Sequence, residues 1–219
     1  STFSTIGVVG AGQMGAGIAQ VLATYGMQVL FFDIDEAALK IAFEKIDKSL
    51  QKLIGKGKVT EAAPVVIERI RPITQMHSLA SAELIIEAAT ENKEIKKALF
   101  KQFDEILKPS AIIGTNTSSI SITELASFTK RPQNCIGIHF MNPVPLMKLV
   151  EVIPGELTSP QTLERVLTLV ALIEKASVQS HDYPGFIVNR ILMPMINEAI
   201  YALFEGLGSK EDIDKGMKL

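Results

Sequence analysis

Two polar residues stand inside an apolar stretch, "GIHFMNPVPLMKLVEVI", which runs from Gly137 to Ile153. His139 lies at the end of one run and Glu151 inside the next. An imidazole and a carboxylate together suit proton transfer, because a neutral imidazole accepts a proton near pH 7. A carboxylate on its far nitrogen fixes the tautomer and stabilises the imidazolium. Pro143 and Pro145 punctuate the segment between them, so the two runs read as a hairpin with a stiffened turn. Glu151 is flanked by Val150 and Val152, so its side chain points away from those neighbours. A desolvated carboxylate requires a partner, and the hairpin offers His139. Asn142 in the turn, with Asn116 and Ser118 in "GTNTSS", adds two amides and a hydroxyl at neighbouring strand ends.

A second constellation suits phosphate binding. In "VVGAGQMG", Gly10, Gly12 and Gly15 follow an apolar run and open a helical pattern. At that position the first glycine permits a tight turn, the second admits a pyrophosphate to the backbone, and the third lets helix and strand pack closely. The helix N-terminus presents free amides and a positive dipole end. Asp33, closing the next apolar run "QVLFFD", is placed to accept from a ribose 2′-hydroxyl. Ile34, Asp35 and Glu36 after it offer no cation for a 2′-phosphate, which favours NAD over NADP.

These residues need a frame. Apolar runs "TIGVVG", "QVLFFD", "AELIIEAA", "SAIIGTNTS", "NCIGIHF", "KLVEVI" and "SVQSH" read as strands. Helical patterns follow the first glycines up to Gly26, then span about 36–54, 93–107 and 160–174, and Ser121 with Glu124 gives capping-box spacing for a short helix. This alternation predicts an α/β chain with a doubly wound, mostly parallel, Rossmann-type sheet covered by helices on both faces, over residues 1–182. The pattern changes at "DYPGF". Ile187, Ile191, Met195, Ala199 and Leu203 form one apolar row, and Val188, Leu192, Ile196, Ile200 and Phe204 a second beside it. That is the wide stripe of a helix burying itself against other helices. Pro194 is expected to kink it near Arg190. Gly206 and Gly208 end it, and Ser209 with Asp212 opens another. Residues 183–219 therefore read as the first helices of an all-helical domain, with the chain stopping partway into it.

Bulk properties narrow the class. Of 219 residues, 47% are hydrophobic and 21% charged, the balance of a packed globule. A net charge of −2 draws neither nucleic acid nor an acidic membrane surface. No apolar run approaches the roughly 18–20 residues of a membrane span, and the first strand starts too early to leave room for a secretory signal. A cytoplasmic protein is the expectation. Cys135, the one cysteine, is read as a core residue. No Cys/His cluster suggests a metal, and His77 and His181 are read as surface residues.

The segments "GAGQMGAGIAQ", "EAATENKEIKKALF", "TNTSSISIT", "GIHFMNPVPLMKLVEVI" and "DYPGFIVNRILMPMINEA" together resemble the L-3-hydroxyacyl-CoA dehydrogenases, over essentially the whole chain. The resemblance implies hydride transfer between NAD and the 3-hydroxyl of a short acyl-CoA. It implies His139 as the base, Glu151 as the acid that orients it, and Ser118, Asn142 and Asn189 around the substrate. It assigns cofactor contacts to Gly10, Gly12, Gln13, Met14, Gly15, Asp33, Ala88, Glu91, Lys96 and Asn116, with Ser118 and Asn142 shared between cofactor and substrate. It also implies a homodimer formed through the helical part. Lys45, Lys48, Lys52, Lys56 and Lys58 form a basic stripe at helical spacing. One reading is a solvated face paired with Glu44 and its neighbours. The resemblance favours another, Lys52 and Lys56 on the phosphates of coenzyme A.

Other enzymes and one non-enzyme compete. A β-hydroxyacid dehydrogenase acting on free acids shares the glycine turn but uses a lysine base on a helix. A sugar-acid enzyme with the same His–Glu pair is a closer rival. A non-catalytic NAD-binding protein has no need of His139, Glu151, Ser118, Asn142 and Asn189 together.

Overall fold

The computed structural model describes residues 3–219. In chain order the elements are β1 (Thr5–Val9), α1 (Gln13–Thr24), β2 (Gln28–Phe32), α2 (Glu36–Gly55), α3 (Ala63–Ile67), β3 (Ile70–Ile73), β4 (Leu84–Glu87), α4 (Lys93–Ile106), β5 (Ile112–Thr115), α5 (Ile122–Ala126), β6 (Cys135–Phe140), β7 (Leu149–Pro154), α6 (Pro160–Leu172), β8 (Ala176–Gln179), α7 (Val188–Phe204) and α8 (Lys210–Lys218). The strands form one sheet in the order β3-β2-β1-β4-β5-β6-β7-β8. Every pairing is parallel except β6 with β7. The sheet is doubly wound, and its order reverses between β1 and β4.

The inner strands are apolar on both faces because helices cover both. On one side Ile18 and Leu22 of α1, Leu39, Ile46 and Leu50 of α2, and Val166 and Leu169 of α6 pack on Val8, Ile86 and Ile112. On the other, Phe100 and Phe103 of α4 and Leu125 of α5 pack on Val9, Ile85 and Ile113. Cys135 lies in this second layer, fully buried, as expected of a core residue.

Two elements carry no clear sequence signal, α3 and β3. β3 reads "IRPI", with Arg71 and Pro72 both exposed. It is an edge strand, where a proline's missing N–H breaks no ladder.

Helix ends deviate in an informative way. Ser121 does cap α5, accepting from Glu124 N at 3.2 Å. Glu124 itself turns to Lys93 at 2.5 Å instead of completing the box. Asp182, which lies 60 residues beyond Ile122, serves the remaining donors and accepts from Ser121 Oγ, Ile122 N and Thr123 N, each at 2.8 Å.

α7 is continuous from Val188 to Phe204 across Pro194. The proline removes the donor due to the Arg190 carbonyl, and Arg190 is exposed, so water can serve that oxygen. The expected apolar rows are present but uncovered: no residue of α7 or α8 is buried. Ile191, Ile200 and Phe204 are 64%, 60% and 85% exposed. Among the described residues no helix is long and apolar enough to cross a membrane.

Candidate active site

β6 and β7 pair antiparallel with His139 directly opposite Glu151. The pairing puts both side chains on one face of the hairpin, and His139 Nδ1 meets Glu151 Oε2 at 2.7 Å. Both residues are buried, Glu151 completely. Its second oxygen, Oε1, accepts from Ile187 N at 3.0 Å and Val188 N at 2.9 Å, where α7 begins. A carboxylate that already accepts two amides leaves Nδ1 to be the donor to Oε2, so the free lone pair of the neutral ring is on Nε2. Ser118 Oγ stands 3.2 Å from that nitrogen. Phe186, buried and at φ +49°, sets its ring against the imidazole with centroids 5.6 Å apart.

The loop that carries Ser118 is held by Glu91. One oxygen, Oε1, accepts from Thr117 Oγ1 at 2.7 Å, Ser118 N at 2.8 Å, and Ser119 N and Oγ at 3.2 Å. Ser118 and Ser119 line a cleft of about 430 Å³ with Asn189, Pro184, Gly185 and Met193. Ser118 and Asn189, which the resemblance groups with His139, thus border one cleft, and His139 adjoins it through Ser118. Asn142 stands to one side, where its Oδ1 accepts from Gln13 Nε2 at 3.0 Å. Asn116 Oδ1 accepts from Phe140 N at 2.8 Å, tying the end of β5 to the end of β6.

The glycine turn sits at the C-terminal end of β1, beside the point where the strand order reverses. Gly10 has φ +103°, and a Cβ there would fall 2.5 Å from Ala89 Cα. A Cβ on Gly15 would fall 1.8 Å from Gly10 O. Around Gly12 nothing lies within 4 Å of that position. Gly12 is also the N-cap of α1, with no side-chain cap and no acidic residue in the first turn. Unsatisfied amides beside open space are what a pyrophosphate requires. Asp33 Oδ2 accepts from Ala11 N at 2.7 Å, so the carboxylate is tied to this turn. Met14 and Ala88 are half-buried and pack against the core beside this turn.

Lys96 is placed differently from an open cofactor contact. It is 1% exposed, and its Nζ donates to Glu87 Oε2 at 2.6 Å, with Glu91 Oε2 at 3.8 Å. Glu87, also buried, accepts from Thr115 Oγ1 at 2.8 Å and from Ala89 N at 2.9 Å.

Lys45, Lys48, Lys52 and Lys56 line a hollow of about 380 Å³ with Pro143, Pro145 and Leu146. No carboxylate among the described residues pairs with these four lysines. The stripe is therefore an unneutralised cationic wall, not a paired face. Lys58 lines a smaller neighbouring hollow with Gln20 and Pro145. His77 and His181 are exposed. Among the described residues no His, Cys, Asp or Glu group is arranged to hold a metal ion.

Residues 5–183 match the family profile described as 3-hydroxyacyl-CoA dehydrogenase, NAD binding domain, and residues 185–219 match the C-terminal domain of the same enzymes. The chain belongs to the 3-hydroxyacyl-CoA dehydrogenase family. A 3-hydroxybutyryl-CoA dehydrogenase of Bradyrhizobium diazoefficiens is 49% identical over 215 residues, covering 98% of this chain and 73% of the relative. A 3-hydroxyadipyl-CoA dehydrogenase of Escherichia coli is 45% identical, over 98% of this chain and 45% of the relative. The crystal structure of (S)-3-hydroxybutyryl-CoA dehydrogenase from Ralstonia eutropha superposes with a TM-score of 0.95 at 47% identity, covering 100% of this chain and 77% of that one.

Within this 3-hydroxyacyl-CoA dehydrogenase fold, several residues escape a reading of the sequence. Glu87 ends the buried strand "LIIE", and the logic that singles out Glu151 applies to it equally. Asp182 and Phe186 bracket "YPG", where only the glycine and proline stand out as signals. Lys175 looks like an ordinary helix-end lysine, yet its Nζ donates to two turn carbonyls, Val144 O and Met147 O.

Proposed function

We propose that this protein transfers hydride reversibly between NAD and the 3-hydroxyl of a short-chain 3-hydroxyacyl-CoA, the 3-hydroxybutyryl-CoA/acetoacetyl-CoA pair. The observation that carries the reading is the triple His139–Glu151–Ser118, with Nδ1 committed to the carboxylate and Nε2 beside the cleft. His139 Nε2 takes the hydroxyl proton in the oxidative direction and returns it in the reductive one. Glu151 holds the ring and stabilises its cationic form. Ser118 and Asn189 border the same cleft and hold the substrate oxygen and thioester region, and Asn142, bonded to Gln13 at the start of α1, serves the nicotinamide side. NAD, when bound, supplies the hydride acceptor. The glycine turn and α1 amides hold its pyrophosphate, Asp33 its adenosine ribose, and Glu91, Asn116 and the Ala88 backbone its remaining length. Lys96 contributes from beneath, through Glu91. Lys52 and Lys56 face coenzyme A phosphates, because four unpaired lysines lining one hollow suit a polyanion.

The same reading divides the chain into an NAD-binding domain, 1–182, and the first helices of a helical domain, 183–219. A homodimer would cover the exposed apolar rows of α7. A cytoplasmic setting is part of the same proposal.

NADH oxidation with acetoacetyl-CoA, beside free acetoacetate and a sugar keto acid, tests the assignment. Acetoacetyl-CoA is expected to be preferred by several orders of magnitude in kcat/KM. Equal turnover of a free acid would remove the coenzyme A assignment.

A further inference from the structure

Neither the glycine turn nor the His139–Glu151 pair accounts for Lys175. It follows α6, whose end is turned by Glu174 at φ +53°, and it precedes β8. From there its Nζ reaches back and donates to Val144 O at 2.7 Å and Met147 O at 2.6 Å. Burial holds its ammonium below the ordinary lysine range, so the cation depends on those two carbonyls for lost hydration.

The segment it grips is the turn between β6 and β7. Leu146 N and Met147 N both return to Pro143 O at 3.0 Å, which closes the turn on itself. On its α1 side Val144 is seated against Gly17, where an added Cβ would lie 2.8 Å from Val144 Cβ. Asn142 stands at the start of this turn, and Pro143, Pro145 and Leu146 wall the lysine hollow. This turn thus walls the hollow proposed for the coenzyme A phosphates, and Asn142 on the nicotinamide side stands at its start.

We propose that Lys175 is a positioning residue for the acyl-CoA substrate, which acts by fixing the Pro143–Met147 turn through its two carbonyls. The inference rests on the acyl-CoA reading above. Gln13 holds Asn142 separately, from the start of α1. Loosening the turn therefore acts on acyl-CoA affinity more than on cofactor affinity.

The test is K175M in the full chain, which keeps the aliphatic stem and removes the ammonium. The KM for acetoacetyl-CoA is expected to rise about tenfold, the scale of lost charge-assisted hydrogen bonds, while the Kd for NADH stays within about twofold. K175R, which restores a cation with several donors, is expected to return KM to within about threefold of wild type. An unchanged KM in K175M overturns the proposal, as does an equal rise in KM and in the NADH Kd, which marks a general structural role. Should K175M fail to fold, K175Q is read by the same split. A wild type inactive on acetoacetyl-CoA removes the underlying reading, whereas an active wild type with an indifferent K175M removes only the role of Lys175.

Discussion

At the residue scale, burial decides what each ionisable group can do. His139 and Glu151 are legible in the sequence because a polar residue in an apolar strand has few ways to be satisfied, and strand pairing supplies one. Lys96 is less legible, since a lysine in a helix gives no sign that it points inward onto Glu87. Cys135 shows the opposite outcome, a nucleophile made inert. Burial pushes its thiol up to about 11, so at pH 8 only about 0.1% is thiolate. A maleimide or disulfide reagent at pH 8 is expected to label native protein at least a hundredfold more slowly than protein in denaturant; comparable rates would show that the site opens. Asp33 makes a second prediction at this scale. D33A is expected to weaken NAD by about tenfold while leaving NADP affected less, because the carboxylate favours a 2′-hydroxyl and repels a 2′-phosphate. Equal losses measured by titration would count against its ribose role.

At the element scale, the site is a meeting of strand ends, and the ties between them are side chains. Glu87 at the end of β4 holds Thr115 of β5, Lys96 of α4 and the Ala89 amide that lies against Gly10. A buried ion pair adds little by existing but costs much when halved. K96M should therefore destabilise the fold by about 3–5 kcal/mol in urea unfolding, and E87Q/K96M should recover part of that loss. A double variant no more stable than K96M would show that Glu87 matters for shape and not for charge. The strands and long helices are readable from the sequence because apolar period and capping residues agree. β3 and α3 are not, because an edge strand of four residues buries too little to impose a pattern. Asp182 is hidden for a related reason: a cap supplied from far along the chain leaves no local spacing to recognise.

At the scale of the whole molecule, the sheet brings the glycine turn, the His139–Glu151 pair and the lysine hollow to one edge, from segments spread between Gly10 and Asn189. The order of strands explains why: the glycine turn stands where the winding reverses, and the β6–β7 hairpin closes the same side. Glu151 links this edge to α7 through two backbone amides, so the start of the helical part is fastened to the His139–Glu151 pair. The uncovered apolar rows of α7 are equally plain in sequence, though sequence periodicity shows only that a face is apolar and not what covers it. The most direct test of the account is turnover of acetoacetyl-CoA by H139Q, read together with NADH binding. The account predicts a kcat at least about a thousandfold below wild type, with the NADH Kd within about threefold. A variant that kept its rate would contradict the assignment of His139 as the group that carries the proton.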